Sequence, residues 1–306
     1  LDFLYKVFNS FKKKEAIIWK GSTYKYDDLI DKVNESRIFC KLYKINKGDV
    51  IALEADFSPA SIALLFALID QECIFVPLSR GLKEKNNAMY KISGISACFT
   101  IDENDEISFE KYNFQSNKNF YTILRELQHP GLVLFSSGTS GNPKAAVHDL
   151  KKLLVKFKIR RNSYRTLNFL LFDHWGGLNT MFHVLSNGGT LITAQNRSPY
   201  EICRLVADKS VELLPTSPTF LNMLIISKIY EKFNLESLKI ISYGTEPMPQ
   251  VTLNKIHNIF PEVRLLQTYG LIELGVLASK SEYNNSLWVK VGGLGYQTRV
   301  INGMLE

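Results

Sequence analysis

Cysteine is scarce in this sequence, and its few copies are scattered. Cys40, Cys73, Cys98 and Cys203 stand far apart in mostly apolar surroundings, without a CxxC pair or a histidine at metal-ligand spacing. This pattern disfavours both a disulfide framework and a structural zinc site. It favours buried free thiols in a reducing compartment, so we expect a cytoplasmic protein.

Long apolar runs are missing as well. The longest, residues 62–69, falls far short of the roughly 18–20 residues that cross a bilayer. We therefore expect no membrane span. A signal peptide begins with a basic segment that leads into an apolar stretch. Residues 1–6 lack this arrangement, so they do not resemble a signal peptide.

A strong charge imbalance is also absent. The 37 basic and 30 acidic residues leave a formal net charge of +7, a modest excess that only weakly favours an anionic ligand. What is present is the composition of a folded protein, with 45% hydrophobic and 22% charged residues. At roughly 100–200 residues per domain, the 306 residues predict two structural units.

Strand-like and helix-like segments alternate along most of the chain. Residues 49–53, 73–77 and 97–100 are apolar and rich in β-branched residues, and helical periods separate them. Ser58 before Pro59 is typical of a helix start. A second series of the same kind runs from 167 to 268 and includes a predicted helix at 199–209. This alternation predicts an α/β fold with two adjacent, doubly wound, mostly parallel sheets flanked by helices.

The most informative segment is 132–145, Leu-Val-Leu-Phe-Ser-Ser-Gly-Thr-Ser-Gly-Asn-Pro-Lys-Ala. A buried-strand pattern leads into small hydroxyl and glycine residues, and then into a lysine that we expect to precede a helix. Inward backbone N–H groups, hydroxyl donors and a lysine charge together suit a nucleotide phosphate chain. The spacing differs from the GxxxxGK(S/T) pattern, because the lysine follows its glycine by three residues and no hydroxyl follows. Composition alone would also fit a plain flexible loop.

The order of these residues resembles the phosphate-binding signature of the acyl-adenylate-forming (AMP-binding) superfamily, S/T-S-G-S/T-S/T-G-x-P-K-G/A. That superfamily includes acyl- and aryl-CoA synthetases, fatty acyl-AMP ligases and the adenylation domains of nonribosomal peptide synthetases. Six further segments are similar to its other motifs, in the same order along the chain: 23–29, 68–79, 172–177, 215–218, 243–248 and 267–273. The resemblance covers nearly the whole chain and implies the family's N-terminal α/β part.

The resemblance implies a role for each matching residue. The phosphates of ATP would be bound by Ser136, Ser137, Gly138, Thr139, Ser140, Gly141 and Lys144. Gly244, Thr245, Glu246 and Pro247 would line one face of adenine. Tyr269, with Gly270 next to it in the chain, would stack on the other face. Glu273 would hold Mg²⁺, and His174 with Trp175 would border the pocket for the acid, near the reacting carboxylate.

Taken singly, several of these residues have plainer interpretations. Tyr269 also fits a core aromatic at a strand end, and Glu273 fits an acidic residue at a helix N-terminus. His174, before a glycine pair, equally fits a helix-entry turn. We expect structural roles for His148, His183 and His257, which stand in helix-like stretches.

The implied activity is ATP-dependent adenylation of a small carboxylic acid, followed by transfer of the acyl group to coenzyme A or to a phosphopantetheine thiol, for example on an acyl carrier protein. Two departures leave a non-catalytic nucleotide- or acyl-adenylate-binding module as the alternative. Ile272 stands where the family has a hydroxyl residue, and the family's C-terminal lid domain has no counterpart before residue 306. We expect an N-terminal fragment with a first subdomain at 1–165, a second at 166–285, and the start of a small β subdomain at 286–306.

A basic stretch at 151–165 raises a further alternative. Leu150, Leu153, Leu154 and Phe157 form an apolar helical stripe, so the basic residues fall on the opposite, solvated face. No nucleic-acid-binding signature accompanies them, and we expect no nucleic-acid partner. Docking of a phosphate-bearing partner, such as coenzyme A or a carrier protein, is the other interpretation of this face.

Overall fold

The computed structural model describes residues 1–81, 83–114, 119–136, 143–292, 299–301 and 304–305. The α-helices are α1 Asp2–Ser10, α2 Tyr26–Leu42, α3 Pro59–Asp70, α4 Lys83–Ser93, α5 Asn119–Glu126, α6 Leu150–Leu153, α7 Trp175–Ser186, α8 Pro199–Lys209, α9 Pro218–Ser227 and α10 Gln250–Ile259. Short 3₁₀ helices lie at Leu154–Lys158 and Ile229–Lys232.

The strands follow the same order along the chain. They are β1 Glu15–Trp19, β2 Ser22–Lys25, β3 Val50–Glu54, β4 Ile74–Leu78, β5 Ala97–Ile101, β6 Ile107–Lys111, β7 Gly131–Ser136, β8 Lys144–Asp149, β9 Arg165–Asn168, β10 Thr190–Thr193, β11 Leu213–Thr216, β12 Ile240–Tyr243, β13 Arg264–Gln267, β14 Tyr269–Leu271, β15 Gly275–Ser281, β16 Val289–Gly292, β17 Val300–Ile301 and β18 Met304–Leu305.

The chain divides by its contacts into two compact units. Unit 1 is Leu1–Ser163 with Leu170–Thr193, and unit 2 is Tyr164–Phe169 with Ala194–Glu306. The segment 170–193 belongs with unit 1 because β10 pairs in parallel with β1 and the ring of Phe182 on α7 lies 6.0 Å from that of Phe66 on α3. The subdomain boundaries that the sequence predicts, after residues 165 and 285, stay a prediction.

Unit 1 contains a sheet in the order β6-β5-β3-β4-β7-β8. The inner strands are parallel, while β6 and β8 are antiparallel at the two edges. Ser58 caps α3, which is buried from Pro59 to Ile69, accepting a hydrogen bond from the N–H of Ser61, and Pro59 takes its first position. Strands β5 and β6 form an antiparallel hairpin.

Two sequence-based expectations in unit 1 are wrong. Lys144 begins strand β8 and does not precede a helix, because the chain turns back and pairs antiparallel with β7. His148 lies on that same strand, whereas a helix was expected. Of the apolar stripe predicted at 150–157, Leu150, Leu154 and Phe157 are buried and Leu153 is half-buried.

Unit 2 contains parallel strands in the order β9-β11-β12-β13. Helices α8, α9 and α10 connect them, so the strand–helix alternation expected after residue 167 is confirmed. Helix α8 has the predicted bounds. The antiparallel strands β14, β15 and β16 follow, and they contain part of the last family motif.

The cysteines and the helices bear on two expectations from the sequence, free thiols and no membrane span. The four cysteines are free and buried, and burial raises the pKa of each thiol, for Cys40 to about 11. Within the described ranges, none of the helices combines the length and hydropathy that crossing a bilayer requires.

Candidate functional site

In unit 1, the two ends of the glycine- and hydroxyl-rich segment lie opposite each other. Ser136, the last residue of β7, pairs in register with Lys144, the first residue of β8. Ser136 is half-buried and Lys144 is exposed. The predicted phosphate ligands between them, Ser137, Gly138, Thr139, Ser140 and Gly141, lie outside the described residues. The antiparallel pairing therefore fixes the base of the segment and leaves a lysine exposed there.

His174 stands in the turn that precedes α7 and caps that helix. Its Nδ1 accepts a hydrogen bond from the N–H of Gly176 at 3.0 Å. Although the residue is exposed, partial desolvation by its neighbours lowers the pKa of His174, an effect that Asp173 only partly opposes. The ring is therefore neutral near pH 7. Since Nδ1 is the acceptor, the proton lies on Nε2, which is available as a donor.

The glycines after His174 are required by close packing. A Cβ on Gly177 would lie 2.2 Å from the carbonyl oxygen of Leu171 and 2.9 Å from that of Leu170, and one on Gly176 would lie 2.5 Å from a methyl group of Leu170. Both distances to backbone oxygens are shorter than a carbon–oxygen contact allows. The glycine pair thus allows the tight turn in which His174 lies.

In unit 2, three parallel strands end in register beside one another. Thr216 ends β11, Tyr243 ends β12 and Gln267 ends β13, and they pair across the sheet in that order. The hydroxyl of Thr216 and Oε1 of Gln267 are buried without a hydrogen-bond partner in the described part of the chain. Buried polar atoms are nearly always satisfied in native proteins. Because ligands of open α/β sheets bind at the carboxyl ends of the strands, these atoms indicate a ligand site at this edge.

The loop 244–247 leaves the same edge after β12. A Cβ on Gly244 would lie 2.4 Å from Oγ1 of Thr268, and Thr268 donates from N and from Oγ1 to the carbonyl of Tyr243 at 2.7 and 3.0 Å. Thr245 has a positive φ of 73°, while Pro247 is exposed with it. The two family segments 243–248 and 267–273 are thus in direct contact.

Glu246 fastens this loop to the start of α9. Its carboxylate accepts from the main-chain N–H of Thr219 at 3.0 Å and from the Thr219 hydroxyl at 2.8 Å. Desolvation raises the pKa of Glu246, but the hydrogen bonds from Thr219 and Ser217 outweigh it and leave the pKa below its ordinary value. A carboxylate at a helix N-terminus is also favoured by the helix dipole. The structure therefore gives Glu246 a role in holding the loop.

The last motif supplies β14 and most of the turn in the hairpin β14–β15. Tyr269 is half-buried and pairs with Leu277, and Gly270 pairs with Val276. Glu273 is exposed in the turn between the strands, so the helix N-terminus considered for it is absent here. Ser279 on β15 donates to the carbonyl of Gln267 at 2.6 Å, which anchors the hairpin to the end of β13.

Sequence reasoning assigned no role to Thr216, Gln267 or Thr219. Gln267 and Thr216 stand within recognised motifs, but only the strand register shows that their buried atoms lack partners. The partner of Glu246 could not be found either, because Thr219 precedes it by 27 residues. Among the residues that the structure describes, no three His, Cys, Asp or Glu side chains converge as a metal-binding group.

Comparison with known proteins identifies the family. A model for AMP-binding enzymes matches residues 4–302, and the chain therefore belongs to the AMP-binding, adenylate-forming enzyme family. This confirms the resemblance drawn from the motifs.

Relatives are found among curated CoA ligases, ligase-like proteins and peptide synthases. The chain is 25% identical over 204 residues to 4-coumarate–CoA ligase-like 9 of Arabidopsis thaliana, an alignment that covers 64% of this chain and 36% of that protein. It is 21% identical over 285 residues to bacitracin synthase 2 of Bacillus licheniformis, covering 85% and 11%. It is 19% identical over 345 residues to the peroxisomal trans-cinnamate:CoA ligase of Petunia hybrida, covering 93% and 60%. The chain thus spans between about a tenth and three fifths of these curated relatives.

Solved structures confirm the fold. The N-terminal subdomain of Klebsiella oxytoca NpsA, in complex with 3-hydroxybenzoyl-AMSN, superposes with a TM-score of 0.74 at 14% identity, covering 90% of this chain and 74% of that one. The luciferase-like enzyme of the mealworm Zophobas morio gives a TM-score of 0.72 at 19% identity, covering 90% and 73%. The mostly parallel, helix-flanked α/β fold expected from the sequence is therefore confirmed.

Proposed function

We propose that this protein catalyses the ATP-dependent adenylation of a small carboxylic acid. A carboxylate oxygen of the acid attacks the α-phosphorus of ATP, the bond from that phosphorus to the bridging oxygen breaks, and pyrophosphate leaves with the electron pair. The product is a mixed anhydride, the acyl adenylate. The observation that carries this proposal is the pair of buried, unpartnered oxygens of Thr216 and Gln267 beside the glycine loop.

Adenine fits the chemistry of that edge. Its exocyclic amine is a donor that would satisfy the unpartnered Oε1 of Gln267. Gly244 allows the loop to pack closely on Thr268 at the strand ends, and the loop that continues through Thr245, Glu246 and Pro247 would cover one face of the ring. The ring of Tyr269, followed by Gly270, would stack on the other face.

The triphosphate would be held by the segment whose base unit 1 provides. Ser136 and Lys144 stand at its two ends, and Ser137 to Gly141 supply the donors that the family signature implies. Magnesium is commonly bound by one or two carboxylates together with substrate phosphates. The exposed Glu273 fits this role as a single carboxylate, and the ion would offset the negative charge of the phosphates when bound.

The acid would meet His174. A neutral imidazole with its proton on Nε2 can donate one hydrogen bond to a carboxylate oxygen without forming an ion pair, and this orients the other oxygen for attack. The names of two relatives, both CoA ligases, support coenzyme A as the acceptor of the acyl group. A phosphopantetheine thiol on a carrier protein is the other acceptor that the family resemblance implies.

Acid-dependent exchange of labelled pyrophosphate into ATP tests the proposal. A panel of aliphatic and aromatic acids is screened with the wild-type chain, and we expect exchange above the no-acid control with at least one of them. The variants Lys144→Ala and His174→Ala should lower that exchange, whereas Lys255→Ala, at an exposed position of α10, should not. Nucleotide binding without exchange for every acid would contradict the enzymatic proposal.

Ile272 favours a second candidate, the non-catalytic module that binds a nucleotide or an acyl adenylate. An isoleucine cannot donate the hydrogen bond that the family's hydroxyl gives to the α-phosphate, and loss of one such donor lowers rates by roughly 10²–10³. If that loss limits the enzyme, Ile272→Thr should raise exchange while ATP affinity changes little. Exchange that stays at background in both proteins would favour the module.

A further inference from the structure

A basic surface lies on unit 1 where β8 passes into the following helical turn. We define it by the exposed cations Lys151, Lys152, Lys158, Arg160 and Arg161. The segment that carries them is held in place by buried apolar side chains on its other face, Leu150, Leu154 and Phe157. The ring of Phe157 lies 5.6 Å from that of Phe182 on α7. The cations are thus displayed from a segment that is fixed to the core.

Two large apolar side chains stand among these cations. Val155 is 54% exposed and Ile159 is 57% exposed. Single exposed aliphatic residues are ordinary at a protein surface. Here they alternate with lysine and arginine along one short segment, which is the composition of a surface that lies in a membrane interface.

A second basic segment adjoins the surface. The guanidinium of Arg160 lies 5.3 Å from the centre of the Phe11 ring, and the ammonium group of Lys14 lies 5.5 Å from the same centre. Lys14 also donates to the hydroxyl of Ser163 at 3.1 Å. These contacts bring Lys12, Lys13 and Lys14 beside the basic surface and extend it.

Acidic residues neutralise this area only in part. Lys12 lies 3.8 Å from Asp27, and Lys152 lies 3.8 Å from Asp149. Both pairs are at the outer limit of an ion pair, and exposed pairs contribute little. Asp2, Asp70 and Glu72 line one cavity with Lys151 and Lys158, but Asp70 pairs with Arg37 and Glu72 with Lys47. The area therefore keeps an excess of basic over acidic side chains.

We propose that the basic surface docks on an anionic lipid bilayer, with Val155 and Ile159 entering the headgroup region. Charge complementarity supplies the attraction, at about 1 kcal/mol per lysine or arginine near such a membrane. The aliphatic character of the exposed apolar pair favours lipid over nucleic acid, since single-stranded nucleic acids are bound by aromatic rings that stack on the bases. This inference is independent of the proposed adenylation.

Vesicle flotation tests it. The wild-type chain is mixed with vesicles of phosphatidylcholine alone or with about 30% phosphatidylglycerol, and we expect it to float only with the anionic vesicles and to be released by salt. The double variant Lys158→Glu/Arg160→Glu should lower partitioning by at least roughly 30-fold, from two lost contributions of the size given above. The double variant Val155→Ser/Ile159→Ser should weaken binding while retaining its salt dependence.

Lys255→Glu/Lys280→Glu is the matched control, because it changes the net charge equally at exposed positions of unit 2. It should bind as the wild type does, and circular dichroism should show that all variants are folded. Absence of flotation, equal binding to neutral vesicles, or equal loss in the control would overturn the proposal. So would tight binding of a short RNA that depends on Lys158 and Arg160 in a protein that does not float.

Discussion

The turn before α7 in unit 1 and the loop after β12 in unit 2 both depend on glycine, but different forces hold them. The α7 turn is fixed by sterics, since a Cβ on Gly177 would lie 2.2 Å from a backbone oxygen. The β12 loop is fixed at Gly244 by packing on Thr268 and at Glu246 by hydrogen bonds to α9.

This difference teaches where each region is vulnerable. A backbone oxygen cannot move aside, so the α7 turn should respond mainly to added volume, with a smaller response to acid through the His174 cap. The β12 loop contains a carboxylate that acts only when ionised, so it should respond to acid as well as to volume. Four substitutions test the contrast, from the largest expected effect to the smallest.

Gly177→Ala should produce the largest loss of stability. The new methyl group meets two carbonyl oxygens and the ring of Phe57, and overpacking of this kind costs about 1–3 kcal/mol or more. Thermal and urea unfolding measure the change. Gly81→Ala is the control, because its Cβ would meet only one atom, at 3.7 Å; equal effects at the two positions would contradict the steric account.

Gly244→Ala should act on nucleotide binding more than on stability. The methyl group would lie 2.4 Å from Oγ1 and 2.8 Å from the carbonyl oxygen of Thr268, so the loop must shift away from the strand ends. We expect the affinity for ATP, measured by calorimetry, to fall by roughly tenfold or more, as a loss of about 1.4 kcal/mol implies. An unchanged Kd for ATP would show that this loop does not contact the nucleotide.

Glu246→Gln should destabilise unit 2 by a smaller amount and alter its response to acid. The amide retains one acceptor for Thr219 but loses the charge, and a hydrogen bond to a charged group contributes about 1.5–3 kcal/mol, less at an exposed site. Because the folded pKa of Glu246 is lowered, its contribution is present above about pH 4.5 and is lost as the pH falls through the folded value. Urea unfolding at several pH values should show a shallower acid dependence in the variant than in the wild type.

His174→Ala should have the smallest effect on stability. It removes the cap on α7, which we expect to cost about 1 kcal/mol, whereas His174→Asn retains an acceptor for Gly176 and should cost less. The folded pKa of His174 is lowered, so its contribution is present above about pH 6.5 and declines as the pH falls towards the folded value. A variant that unfolds as the wild type does at pH 7 and pH 5 would show that the cap is unimportant.

The sequence predicted the local parts of both regions well. Strand and helix alternation follows from residue patterns within a few positions, and α8, with Ser198 and Pro199 at its start, was predicted with its observed bounds. The ordered motifs identified the family because each combines several residue types at fixed spacing.

The features that could not be predicted from the sequence depend on contacts between residues that are distant along the chain. Strand β8 exists because β7 provides its pairing partner, so Lys144 alone could not distinguish a returning strand from a helix. The parallel pairing of β1 with β10 joins residues about 174 positions apart, and it assigns 170–193 to unit 1. The unpartnered oxygen of Gln267 likewise becomes visible only once three strands are aligned.

The most direct test of the nucleotide site compares two ligands that differ by one amine. Calorimetry measures the Kd of AMP and of purine riboside 5′-monophosphate, which lacks the exocyclic amine, for the wild type and for Gln267→Leu. We predict that the wild type prefers AMP by at least about fivefold, because the other ligand leaves Oε1 of Gln267 unpaired, and that Gln267→Leu loses the preference. Equal affinities in the wild type, or a preference that persists in Gln267→Leu, would contradict the assignment of adenine to the strand ends of unit 2.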